Sequence, residues 1–101
     1  MATVTITSVG EIRLWVPYTN ETFECQATSS DGTRIVHTWY YNDAFVQESE
    51  TIILSVNGSL FLLMQNEADG GRSRLGQYKC VASNGSSEAE IVYNLHDGNG
   101  A

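Results

Sequence analysis

The chain has 101 residues, 42% hydrophobic and 17% charged, the balance of one globular domain rather than a disordered segment. Twelve acids against five bases leave a net charge of −7, which offers no counterion-release gain on nucleic acid and repels anionic lipid. The longest unbroken apolar run, residues 60–64, is far too short to cross a bilayer, so neither nucleic-acid binding nor direct membrane insertion is expected.

No charged-then-apolar leader opens the chain, which reads as a domain excised from a longer protein. Residues 3–9 alternate threonine with β-branched apolar residues and predict a first strand. Gly10-Glu11 interrupts it, and Ile12, Leu14 and Val16 alternate in a second strand ending at Pro17, which cannot donate to a ladder. Residues 21–28 predict a third strand with Phe23, Cys25 and Ala27 on its inward face, and polar residues 29–33 form a loop. Residues 34–42 form a strand carrying Trp39, with His37 and Tyr41 on the tryptophan's face and Val36, Thr38 and Tyr40 on the other.

Asn42-Asp43-Ala44 makes a turn into a short strand over 45–47, and 51–56 forms another strand. Asn57-Gly58 is a two-residue hairpin signal, after which 59–65 places Leu60, Leu62 and Met64 on one face. A long crossover over 67–75 leads to a strand over 76–83, an Asn84-Gly85 turn and a last strand over 87–95. No helix-period segment of useful length appears. One domain over 1–95 is therefore expected, with 96–101 as a flexible tail or inter-domain linker.

The stretch Gly76-Gln77-Tyr78-Lys79-Cys80-Val81-Ala82-Ser83-Asn84, together with Cys25 and Trp39, strongly resembles an immunoglobulin-superfamily domain of the I-set branch. Tyr78 and Cys80 share one strand face by period two. The resemblance covers about residues 4–95 and implies an all-β, two-sheet antiparallel Greek-key sandwich. It further implies a Cys25–Cys80 disulfide packed on Trp39, with the Tyr78 hydroxyl bonded back to the preceding crossover. A reduced, buried thiol pair is the alternative. Two positions depart from the pattern. Arg74 stands where the family places an aspartate four residues before the tyrosine, so the usual salt bridge is absent or reversed, with Asp69 or another acid as partner. Ser87 stands where a glycine is common.

Three sequons, at Asn20, Asn57 and Asn84, are N-glycosylation candidates. Asn57 and Asn84 also have a turn-forming reason to exist, which leaves Asn20 the better glycan candidate. His37 reads as a packed strand residue and His96 as part of the tail, too few ligands for zinc once both cysteines are committed. The acids lack any calcium-loop spacing, so no metal and no cofactor are expected. No nucleophile elbow or acid-oriented histidine appears, and the chain reads as a non-enzyme.

Two surface features suit recognition. One is an outer sheet face on which Val36, Tyr40, Val81 and Val92 lie near Lys79 and Glu90. The other is Arg72-Ser73-Arg74, a two-arginine patch for which pairing with the chain's own acids is the simpler fate. The likeness is to domains of contactin, Dscam and Robo types. It implies an extracellular protein-recognition module of a multi-domain adhesion or guidance receptor, beside immunoglobulin or fibronectin-type neighbours and binding a homophilic or heterophilic partner. The alternatives are a titin-like intracellular spacer and the ligand-binding domain of a receptor tyrosine kinase.

Overall fold

The computed structural model describes residues 2–98. Its elements in chain order are β1 (Val4–Ile6), β2 (Ile12–Trp15), β3 (Glu21–Phe23), β4 (Ala27–Ser29), β5 (Val36–Tyr41), β6 (Ala44–Phe45), β7 (Ile52–Leu54), β8 (Leu60–Leu62), a single 3-10 turn (Arg72–Arg74), β9 (Gly76–Ser83) and β10 (Glu88–Asp97). A five-stranded sheet, β2-β10-β9-β5-β6, forms one layer. The three-stranded sheet β3-β8-β7 and the β1-β4 ribbon form the other. The architecture is the expected all-β sandwich.

The core follows from period two on the facing strands. Phe23, Leu60, Leu62 and Met64 from one layer meet Trp39, Tyr78, Cys80, Tyr93 and Leu95 from the other, all buried. The Phe23 ring lies 4.9 Å from both Tyr78 and Tyr93 and 6.4 Å from Trp39. The Cys25–Cys80 disulfide joins the layers beside these rings. Closing a loop of 55 residues stabilises such a domain by about 4 kcal/mol through the unfolded chain. The polar ends of two core rings are satisfied: Trp39 Nε1 donates to the Gly58 carbonyl at 2.8 Å, and Tyr93 donates to the Glu24 carbonyl at 2.6 Å. Tyr78 donates to the Arg74 carbonyl at 2.6 Å, the back-bond expected of it, and Tyr41 joins it by donating to Leu75.

Several expectations are corrected. The strand over 21–28 is two strands: β3 pairs with β8, whereas β4 pairs with β1. Between them the backbone changes partners, because Gln26 N donates to Ser8 Oγ at 2.8 Å and the Gln26 carbonyl accepts Thr7 N at 2.8 Å. The sandwich is not wholly antiparallel, since β2 runs parallel to β10. The chain changes layer between β1 and β2 without reversing, and Gly10 permits it: a Cβ there would overlap the Val92 backbone. On β2 the inward residue is Trp15, while Ile12, Leu14 and Val16 are exposed.

The last strand continues past residue 95, with His96 paired to Leu14 and Asp97 to Trp15, so these two residues are not tail. Arg72 holds that end, bridging to Asp97 at 3.0 Å with its guanidinium 5.0 Å over the Trp15 ring. Residues 99–101 of the expected tail lie outside the described residues. Arg74 bridges to Glu67 at 2.8 Å, the reversed pairing. Asp69 instead accepts Gly71 N and Ser73 N, both at 2.9 Å, which lowers its pKa.

The Asn-Gly pairs are not two-residue hairpins. Only Gly58 (φ 97°) and Gly85 (φ 95°) adopt positive φ, while Asn57 and Asn84 accept backbone N–H groups through Oδ1. A hairpin turn with two successive positive φ values is formed instead by Asn42 (46°) and Asp43 (69°), joining β5 to β6 without glycine.

Candidate interaction face

Residues paired across a ladder project to the same side, so the register assembles the outer face of the five-stranded sheet row by row. One row is Phe45, Tyr40, Lys79 and Val92. The next is Thr38, Val81 and Glu90, and beyond it lie Val36, Ser83 and Glu88. In the other direction Gln77, Asn94 and Ile12 form a row, followed by His96 and Leu14. Tyr40, Lys79, Val81, Glu90 and Val92 thus lie in two adjacent rows, and Val36 stands at the end of the same face.

Ile12, Leu14, Val36 and Phe45 are each 60–63% exposed, four large apolar side chains on one sheet surface. The centre is ordered by aromatic contacts. Phe45 meets Tyr40 edge-on at 6.5 Å, and Lys79 Nζ lies 5.4 Å over the Tyr40 ring and 3.8 Å from Asp43. A lysine laid over an aromatic ring covers apolar surface with its stem while keeping its charge in water. The sheet offers non-covalent, mixed apolar and charged contact. Among the described residues, no group of three or more His, Cys, Asp or Glu side chains gathers to hold a metal, and no helix is long and apolar enough to cross a membrane.

The Semaphorin-3/4/7A immunoglobulin-like domain family matches residues 8–95. The chain belongs to this family. No curated protein matches the semaphorin-type domain in sequence. Among solved structures it is similar to titin domain M4 (23% identity, TM-score 0.75, 93% of this chain and 94% of that one). It is also similar to neural ectodermal development factor IMP-L2 (17%, TM-score 0.80, 94% of this chain and 43% of that one). Immunoglobulin domains 1–4 of Sidekick-1 give 17% identity and TM-score 0.75 over 95% of this chain and 24% of that one. At these identities the likenesses carry the fold, and the motif's resemblance to contactin, Dscam and Robo domains is one of shared superfamily.

The sequence reading missed three members of this semaphorin-type domain's face. Sequence pattern places Phe45 in a short strand without a side, and its cross-strand pairing with Tyr40 settles that side. Sequence pattern shows Ile12 and Leu14 only as alternating strand positions; pairing to Asn94 and His96 turns them outward. Arg13, between them, points inward, with its guanidinium 5.2 Å from the Tyr93 ring and Nη1 2.6 Å from Glu21.

The sequons lie elsewhere. Asn20 follows β2 and precedes β3, Asn57 sits in the β7–β8 turn, and Asn84 in the β9–β10 turn. His37 is half-buried against Gly58, and its Nε2 is buried without a hydrogen-bond partner; burial lowers its pKa.

Proposed function

We propose that the domain is a protein–protein recognition module of an extracellular, multi-domain cell-surface adhesion or guidance receptor. It binds by non-covalent contact through the outer face of the five-stranded sheet, without catalysis. The observation that carries the reading is that the register gathers Phe45, Tyr40, Val92, Ile12 and Leu14 on one outer face, interleaved with Lys79, Asn94 and His96. Exposed apolar surface gathered on one face of a small domain, with aromatic and charged groups interleaved, is the composition of an interface. The disulfide supports an oxidising compartment, and the acidic surface keeps the module soluble.

The test is binding of the parent ectodomain to beads or cells bearing itself or a partner, with Tyr40→Glu and Val92→Asp on the face and Ile53→Ser on the opposite layer. Loss of about tenfold or more in affinity for the face variants, with Ile53→Ser unaffected and melting temperatures held, is the expected outcome. Binding indifferent to both face variants would remove the face from the reading. A titin-like intracellular spacer is the rival, and the native cell decides between them. Intact mass with and without reductive alkylation would show a free thiol pair if the spacer reading held. A receptor tyrosine kinase parent would be recognised by its kinase domain.

A further inference from the structure

The three sequons share one local device and differ in what lies beyond it. In each, the asparagine Oδ1 accepts a backbone N–H, which fixes the amide's orientation and leaves Nδ2 to a different environment in each case. Asn20 Oδ1 accepts Met64 N at 2.9 Å and Gln65 N at 3.2 Å. Asn57 accepts Ser59 N at 3.3 Å, and Asn84 accepts Ser86 N and Ser87 N at 2.9 and 2.8 Å. Asn84 Nδ2 is then occupied, donating to Ser29 Oγ at 3.0 Å in a partly buried site. Asn57 projects from an exposed turn. Asn20 Nδ2 lies 3.3 Å from the exposed Gln65 side chain, at the border of an open depression of about 380 Å³. Leu63 lines that depression, with Thr51, Glu50, Gln65 and Asn66 around it.

We infer that Asn20 carries an N-linked oligosaccharide whose first N-acetylglucosamine sits in this depression over Leu63. A pyranose ring has an apolar face and a polar rim, and the depression offers one apolar side chain among amides, a hydroxyl and the carboxylates of Glu50 and Glu67, the latter paired with Arg74. In the attachment step the Nδ2–C1 bond replaces the C1–O bond of a lipid-linked glycosyl pyrophosphate, the lipid pyrophosphate leaves, and Nδ2 loses one proton. Leu63 lies one residue beyond β8 with the parity of Phe61, opposite the buried Leu62 and Met64, so the sugar covers the outside of the three-stranded layer. The outer face of the five-stranded sheet stays bare.

This inference rests on the extracellular reading, so the test separates the two. The 101-residue chain is secreted from eukaryotic cells behind an added leader and mapped by mass. Sugar on Asn20 is expected, retained in Asn57→Gln and lost in Thr22→Val, which removes the sequon without touching the Asn20 bonds to Met64 and Gln65. Trimming to one N-acetylglucosamine should leave a melting temperature about 4 °C above that of the sugar-free bacterial product, and Leu63→Ala should abolish the difference. The Thr22→Val chain from both hosts controls for the substitution itself. A secreted, disulfide-bonded chain with Asn20 bare would overturn the glycan and leave the extracellular reading standing. A glycan on Asn20 with no Leu63-dependent rise would overturn the seat. Free thiols in the native cell would overturn the location instead.

Discussion

Gly58 and Gly85 provide a matched pair for testing what holds the sandwich together. Both follow an asparagine in a hairpin turn, and their φ values, 97° and 95°, are the same within a few degrees. A Cβ in this region costs about 1 kcal/mol in backbone strain, so Gly85→Ala should lose roughly that, since nothing lies within 4 Å of its added carbon. At Gly58 the added carbon would overlap the His37 ring and lie 2.8 Å from the Cys25 carbonyl oxygen. The Cys25 backbone is held by the disulfide, so it cannot yield and the turn must lift. Lifting the turn draws the Gly58 carbonyl from Trp39 Nε1, leaving a buried indole N–H unpaired at about 1–3 kcal/mol. With about 1–3 kcal/mol for overpacking, Gly58→Ala should cost about 3–7 kcal/mol in all. Urea unfolding followed by tryptophan fluorescence measures both variants against the parent. Equal losses within about 0.5 kcal/mol would refute the claim that Gly58 serves close packing rather than turn geometry.

Replacing Cys25 and Cys80 together by alanine should cost about 4 kcal/mol, read from the shift in urea midpoint. His37 is held below its ordinary pKa of 6.5 by burial, so the unfolded chain takes up the proton first. Its contribution is therefore complete above 6.5 and is lost as pH falls from there toward the lower folded value; His37→Gln should flatten stability against pH in that window. Asp31, held down to about 2 by hydrogen bonds from Thr33 and Ser29, acts only below 3.8, outside that window. Trp15→Ala should cost about 3–5 kcal/mol, since it empties a buried site and leaves the Arg72 guanidinium without its ring. Leu14→Asp should stay within about 0.5 kcal/mol on the same assay; a loss of several would mean that Leu14, not Trp15, faces the core.

The parts of the fold legible in the sequence were those in which local pattern and tertiary pairing agree. Residues 76–83 alternate cleanly, with Tyr78, Cys80 and Ala82 buried and both neighbours in register, and the strand is found with its predicted bounds. On β2 both parities are apolar at some position, so the pattern 12, 14, 16 competes with Trp15 alone. The choice is made by β10, whose inward Tyr93 and Leu95 fix which side of the adjoining strand meets the core. The division of β3 from β4 was illegible for a similar reason. Its cause is a change of hydrogen-bond partner at Gln26, made by Ser8 and Thr7, residues 18 and 19 positions away. His96 and Asp97 carry no apolar signal, yet parallel pairing to β2 and the Arg72 bridge extend the strand through them.

The orientation of β2 also links the core to the proposed face. Because side chains alternate, burying Trp15 against the 3-10 turn obliges Ile12 and Leu14 to point out. They then lie beside Asn94 and His96 on the surface that already holds Val92, Lys79 and Tyr40. Had the strand followed the sequence pattern, the face would have ended at β10 and the core would have lost its second tryptophan. The layer change at Gly10 brings β2 to this edge, and the parallel register with β10 sets its side. A shift of that register by one residue would exchange the two sets, exposing Trp15 and burying Leu14. Packing against the Arg72–Asp97 bridge, which accepts the indole ring and no leucine equivalent, opposes that exchange.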